Sequence, residues 1–399
     1  MHTHAYELIL CGGRVPDGRA MDLGLANGMI KAIAAPGSLG DGPSLDLDGA
    51  LILPGLVDGH IHLDKTLLGL PWIPHVPGNS VRERIAAEKA LRRSLGEPMA
   101  VRAQRLIEHV VARGTVAMRS HVDIDEEVKL DHLEALLALR EGVRQLVDIQ
   151  LVAFPQSGVV SLPGAAGLLD AALSAGADLL GGLDPAGIDG DMAGQLDILF
   201  GLAAKHGVGL DIHLHDPAEL GCRELRDIAE RTHAAGLDGK VAVSHAYALG
   251  AVSDEVFGAT AQALARADIA IMTNGPGTGS RPPVKRLLAE GVTVFAGSDN
   301  IRDAWSPYGN GDMLDRARHI GYLNGLETDA DLALAFGLAT SRPALVMGLA
   351  GHGVTEGARA DLIVVHAENV AEAVAGAPPR LFVIKGGRIV AREGMLTSS

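Results

Sequence analysis

His60 and His62 stand two residues apart in the apolar run LILPGLVDGHIHL at 51–63. In an extended strand that spacing puts both imidazoles on one side, where they can bind one metal ion together. His213, in VGLDIHLHD, and Asp299, in VTVFAGSDN, have the residue types to complete a set of three nitrogens and one oxygen. Such a set leaves a position for water, and an ion there lowers that water's pKa to about 7. The same placement recurs along the chain. His121 and Asp123 end VAMRSHVDI, Gln156 follows LVDIQLVAF, His215 and Asp216 close VGLDIHLHD, His245 lies in VAVSHAY, and Asn274 follows IAIMT. A polar residue at the C-terminal end of most apolar runs is the pattern of an active site assembled from strand ends.

Helix-period segments such as QRLIEHVVARG, GLLDAALSAG and QLDILFGLAAKHG lie between these runs. The spacing is roughly 30 residues, the size of a βα unit. Eight strands over about 250 residues predict an α/β fold, a closed (β/α)8 TIM barrel at 54–349, with an open doubly wound sheet as the alternative. The segment from Asp64 to Pro98 is too long for a plain βα loop and is expected to cover the barrel mouth. Both chain ends read instead as short strands and turns. Asn27-Gly28 is a hairpin signal, and Gly12-Gly13-Arg14-Val15 is echoed by Gly386-Gly387-Arg388-Ile389. Residues 1–53 and 350–399 are therefore expected to pair into a small β-sandwich domain, two separate hairpins being the alternative.

Composition narrows the function. With 399 residues, 47% hydrophobic and 21% charged, the chain is a folded globular protein. A net charge of −15 and the lack of any Lys/Arg cluster exclude nucleic acid and anionic membranes as partners. Two cysteines, Cys11 and Cys222, cannot form a disulfide framework, which suits a reducing compartment. No targeting segment is recognisable, and the longest charge-free stretch contains Pro155 and Pro163, unlike a membrane span. The expectation is a cytoplasmic enzyme, homo-oligomeric, acting on a small molecule. No P-loop, HExxH, GxSxG or paired-cysteine zinc motif is present. In the glycine-rich stretch 275–280, Ser280 occupies the place of a dinucleotide fingerprint's third glycine, so it reads as a barrel loop. His2, His4, His109, His132, His206, His233, His319, His352 and His366 lack strand-end placement and read as surface or internally satisfied groups.

The stretches PGLVDGHIHLDKT (54–66), HVDI (121–124), DIQLVAFPQSG (148–158), DIHLHD (211–216), SHA (244–246) and GSDN with the following Trp305 resemble the amidohydrolase superfamily, within it the cytosine deaminase group. The resemblance covers essentially the whole chain. It implies the same barrel with a sheet domain from both termini. It also implies that His60, His62, His213 and Asp299 bind one divalent transition metal ion, Zn or Fe. His245 then polarises the attacked centre, Asp299 also takes a proton from water, and Gln156, Trp305, His121 and Asn300 contact the substrate. No lysine lies near the ends of strands three or four, so a carbamylated lysine bridging two metals is not supported.

Two departures from the cytosine deaminase pattern matter. Asp216 stands where that group has Glu as its proton shuttle, and Asn300 stands where it has Asp. The resemblance therefore implies hydrolytic deamination of an amino-substituted nitrogen heterocycle, a pyrimidine, purine-like or triazine ring, with Asp216 as proton carrier. Release of an alkylamine from an s-triazine, or opening of a cyclic amide, is the alternative.

Overall fold

The computed structural model describes residues 5–397; His2 and His4 lie outside them. The apolar runs form eight parallel strands in chain order. They are Leu56–Ile61, Thr115–Asp123, Asp148–Phe154, Leu179–Leu183, Gly209–Leu214, Val241–His245, Ala270–Thr273 and Val294–Ala296, here strands one to eight. Helices lie between consecutive strands. Ile61 and Asp299 form a parallel bridge across the remaining edge, so the sheet closes into a barrel. The open-sheet alternative is thereby resolved.

Apolar side chains of the strands pack against the helices in one continuous core that includes Leu106, Leu136, Leu169, Leu199, Leu225 and Leu264. Burial on both faces explains why these strands read as unbroken apolar runs rather than alternating ones. Two glycines make the closure possible. A Cβ on Gly59 would lie 2.4 Å from the Phe295 ring, and one on Gly297 would lie 2.5 Å from His60 Cβ.

The run 51–63 is two strands. Leu51–Pro54 belongs to the sheet of the chain ends, and strand one of the barrel begins at Leu56. Leu51–Pro54 pairs antiparallel with Leu362–Val365 and touches Leu8–Arg14 in parallel, which joins both termini into one nine-stranded sheet. Its hairpins turn at Asn27-Gly28 (φ 53° and 73°) and Gly386-Gly387 (φ 55° and 76°), the positive φ values that such two-residue turns require. We place the division between the two units near residues 54 and 350, as this strand pairing supports.

The 64–98 segment carries a helix, Val81–Ser94. Ser80 Oγ caps it by accepting from Glu83 N at 3.2 Å, and Arg92 and Arg93 sit in its last turn, favourable to the helix dipole. Residues Asn79–Arg82 and Arg84 form one wall of a cavity of about 1670 Å³ at the C-terminal ends of the strands.

Candidate active site

Four side-chain atoms converge at the base of that cavity. His62 Nε2 lies 3.3 Å from His60 Nε2 and 3.4 Å from His213 Nε2. Asp299 Oδ1 lies 3.4 Å from His62 Nε2 and 3.5 Å from His60 Nε2. Bonds of about 2.1 Å in a tetrahedron give ligand–ligand edges of about 3.4 Å, so this spacing fits a first-row transition metal. All four residues are buried.

The protonation states agree with that fit. His60 Nδ1 donates to Ser244 Oγ at 2.8 Å, and Ser244 Oγ donates to Asp211 Oδ1 at 2.9 Å. Asp211 Oδ2 accepts from the Arg119 guanidinium at 2.8 Å. The hydroxyl has given its hydrogen to Asp211, so His60 must carry its own on Nδ1 and leave the Nε2 lone pair for the metal. Burial lowers the pKa of His62 and, more strongly, of His213, keeping both neutral as ligands must be. Burial alone would raise Asp299, but His245, His60 and His62 outweigh it and hold that carboxyl well below the usual range.

Backbone geometry at the strand ends is unusual. Asp184, His245 and Asp299 all have positive φ, at 35°, 74° and 60°. Such conformations are uncommon for residues with side chains and concentrate at functional sites. They turn the chain where each strand meets the cavity.

Of the expected substrate contacts, Gln156, Trp305 and Asn300 line the cavity. Gln156 Nε2 donates to Glu88 Oε2 at 3.0 Å and Asp123 Oδ2 at 3.2 Å. Both amide hydrogens are thus taken, and the amide presents only its oxygen to a ligand. Trp305 Nε1 also donates to Glu88, so the indole offers a ligand its ring. Asn300 Nδ2 donates to Asp303 Oδ2 at 2.6 Å. His121 is placed differently. It is fully buried, is not on the cavity wall, and its ring lies under that of His60 with centroids 4.0 Å apart.

Asp216 does reach the cavity wall, because strand five ends at Leu214 and the chain turns before the helix Ala218–Ala234. Its carboxylate leans to the strand-four side, accepting from Gly187 N at 2.7 Å. His215 stands over the centre instead, its ring 4.5 Å from that of His245 and 6.1 Å from that of His213. Asp184 holds it by accepting from His215 Nδ1 at 3.0 Å. Burial would lower the His215 pKa, but Asp184 outweighs it and the net shift is upward. His245 is turned by Tyr247, whose hydroxyl lies 3.1 Å from its Nδ1.

Several cavity groups escaped the reading of strand ends. Asp184 directly follows strand four, at the end of the apolar run LLGGLD, and obeys the same rule, so that signal was present. Lys65 lies in the quoted 54–66 motif, buried, donating to Asp123 Oδ1 at 2.6 Å and Glu88 Oε1 at 3.0 Å. Burial would strip its charge, but Asp123, Glu88 and Asp64 more than compensate and raise its pKa. Glu88 of the lid helix does not line the cavity itself but is buried against Lys65, Gln156 and Trp305, which do, and no local pattern marks it. His319, set apart as satisfied, is indeed bonded to Gly275 O at 3.0 Å, yet it also lines the cavity.

A closed parallel barrel carrying three histidines and an aspartate at its strand ends defines a metal-dependent hydrolase. The chain belongs to the amidohydrolase family, which residues 44–391 match. It is 33% identical over 384 residues to the N-isopropylammelide isopropyl amidohydrolase of Pseudomonas sp. strain ADP, covering 94% of this chain and 95% of that one. The crystal structure of N-isopropylammelide isopropylaminohydrolase from Burkholderia multivorans superposes with a TM-score of 0.94 at 40% identity, over 98% of this chain and 99% of that one. The 5-methylcytosine deaminase of Klebsiella pneumoniae, liganded with 5-fluorocytosine, gives 0.86 at 27% identity, over 98% and 99%. Among the described residues no helix is long and apolar enough to cross a membrane.

Proposed function

We propose that this protein hydrolyses an exocyclic C–N bond of a nitrogen heterocycle, a pyrimidine, purine-like or triazine ring, releasing ammonia. The 3.3–3.5 Å spacing of the His60, His62, His213 and Asp299 donor atoms carries this reading. One divalent transition metal ion per chain, Zn or Fe, suits three imidazoles and a carboxylate. When bound it supplies the Lewis acidity that makes water a nucleophile at neutral pH.

The chain's own groups do the rest. The ring lies against Phe154 and Trp305, and Gln156 Oε1 accepts from a ring N–H. Asp299, whose Oδ2 accepts from Asn274 Nδ2 at 2.7 Å, takes the proton of the attacking water. His245, oriented by Tyr247, stabilises the charge that develops on the attacked centre. Asp216 takes up the proton released from the attacking water and passes it to the departing amine, which is otherwise a poor leaving group. His215 is the nearest alternative carrier. The lid helix, fixed to the floor through Glu88, limits access of bulk water.

Release of an alkylamine in place of ammonia is the second reading. The likeness to the two N-isopropylammelide hydrolases favours it. A cytoplasmic site and a homo-oligomer complete the proposal. They are supported by the free Cys11 and Cys222 and by the exposed Trp72, Val76 and Tyr322. Metal-loaded protein incubated with aminopyrimidines, aminopurines and N-alkylated triazines, with ammonia and alkylamine measured separately, separates the two readings. Release of neither from any ring overturns both.

A further inference from the structure

Ala186 and Gly187 follow strand four, and their consecutive N–H groups each meet a carboxyl group from the strand-five side. Ala186 N donates to Glu224 Oε1 at 2.8 Å and Gly187 N to Asp216 Oδ2 at 2.7 Å. Asp216 stands on the cavity wall, whereas Glu224, on the helix Ala218–Ala234, is wholly buried behind it. Held by the N–H groups of adjacent residues, the two carboxyl groups lie side by side, and Glu224 Oε2 is buried without a hydrogen-bond partner among the described residues. Two ionised carboxylates have no hydrogen to share, so this contact is a hydrogen bond only when one of them is protonated. Glu224 is the more deeply buried of the two, and ionising it there is the costlier choice.

We infer that Glu224 is an un-ionised acid in the working protein and donates its hydrogen to Asp216, holding that carboxylate at the cavity wall. Glu224 is then a positioning residue for the proton carrier, and its catalytic consequence rests on the function proposed above. Burial first, then the neighbouring Asp216 and Asp184, push its carboxyl up to about 8. The other charged groups around the pair are His215, which is paired with Asp184, and Arg82 of the lid, which donates to Gly187 O and Ile188 O.

The test compares Glu224→Gln with Glu224→Leu. Glutamine reproduces the neutral acid, with an oxygen for Ala186 N and an N–H for Asp216, while leucine offers neither. A carboxyl with pKa 4.5 when unfolded and about 8 when folded contributes stability that is present below pH 4.5 and lost as pH rises to 8. Melting temperatures measured from pH 5 to 9 should therefore show E224Q gaining steadily on wild type up to about pH 8, then levelling. With a substrate in hand, E224Q should keep kcat within about threefold, and E224L should lose at least about tenfold in kcat with KM and metal content kept. Parallel melting curves for E224Q and wild type, or E224Q as impaired as E224L, overturn the inference. Should E224L fail to fold, the E224Q melting series decides alone. It needs no substrate, so a failure of the proposed reaction cannot be mistaken for a failure of this inference.

Discussion

Asp299 N donates to His60 O at 2.8 Å, so the barrel's last and first strands join at two of the proposed metal ligands. Closure and ligand placement are one structural event. Gly297 sits at the seam, where an added Cβ would fall 2.5, 2.7 and 2.9 Å from Cβ, O and N of His60. Overpacking of this kind typically costs about 1–3 kcal/mol. Gly297→Ala should lower the melting temperature and weaken metal binding together, read by thermal scans and by competition with a chelator. A lower melting temperature with unchanged metal affinity would separate the seam from the site.

The His60–Ser244–Asp211–Arg119 chain makes a second prediction. Ser244→Ala removes the acceptor that fixes the His60 tautomer while leaving all four ligands. Metal affinity should fall about 10–100-fold, the usual cost of losing such support. Equal affinity in the variant, measured with the same chelator, would show that Ser244 does not set the tautomer.

Gln156→Ala should reduce kcat/KM by about 1–3 kcal/mol and leave the metal in place, since the Gln156 amide donates to Glu88 and Asp123 and not to a ligand. Glu88→Ala should follow it, because Glu88 holds both Gln156 Nε2 and Trp305 Nε1. Metal analysis alongside steady-state kinetics checks both. Unchanged kinetics in Gln156→Ala would leave the amide without a part in binding.

Asp216→Asn should keep metal and KM but lose about 10²–10⁴ in kcat, the worth of general acid–base help. If activity survives in that variant and collapses in His215→Gln with metal retained, the proton carrier is His215.

The barrel was readable because it is buried on both faces and periodic, and the four ligands because each ends an apolar run. The apolar run 51–63 read as one strand because hydrophobic residues continue across Gly55, although the division expected near residue 54 falls between Leu51–Pro54 and strand one. Asp216 illustrates a second limit. The resemblance implied a proton carrier there, but the direction of its side chain depends on the turn after Leu214 and on Gly187 N, which lies 29 residues away. Glu88 shows a third. It enters the site on a helix whose docking rests on tertiary contacts to Lys65, Gln156 and Trp305, and no local spacing encodes those.

Metal titration of the stripped protein tests the central claim most directly. Activity on a responsive heterocycle should rise with added Zn or Fe(II) and saturate at about one equivalent per chain. His62→Ala should bind no tight equivalent and stay inactive. Full activity in protein shown by elemental analysis to be metal-free, or undiminished activity in His62→Ala, would contradict the account.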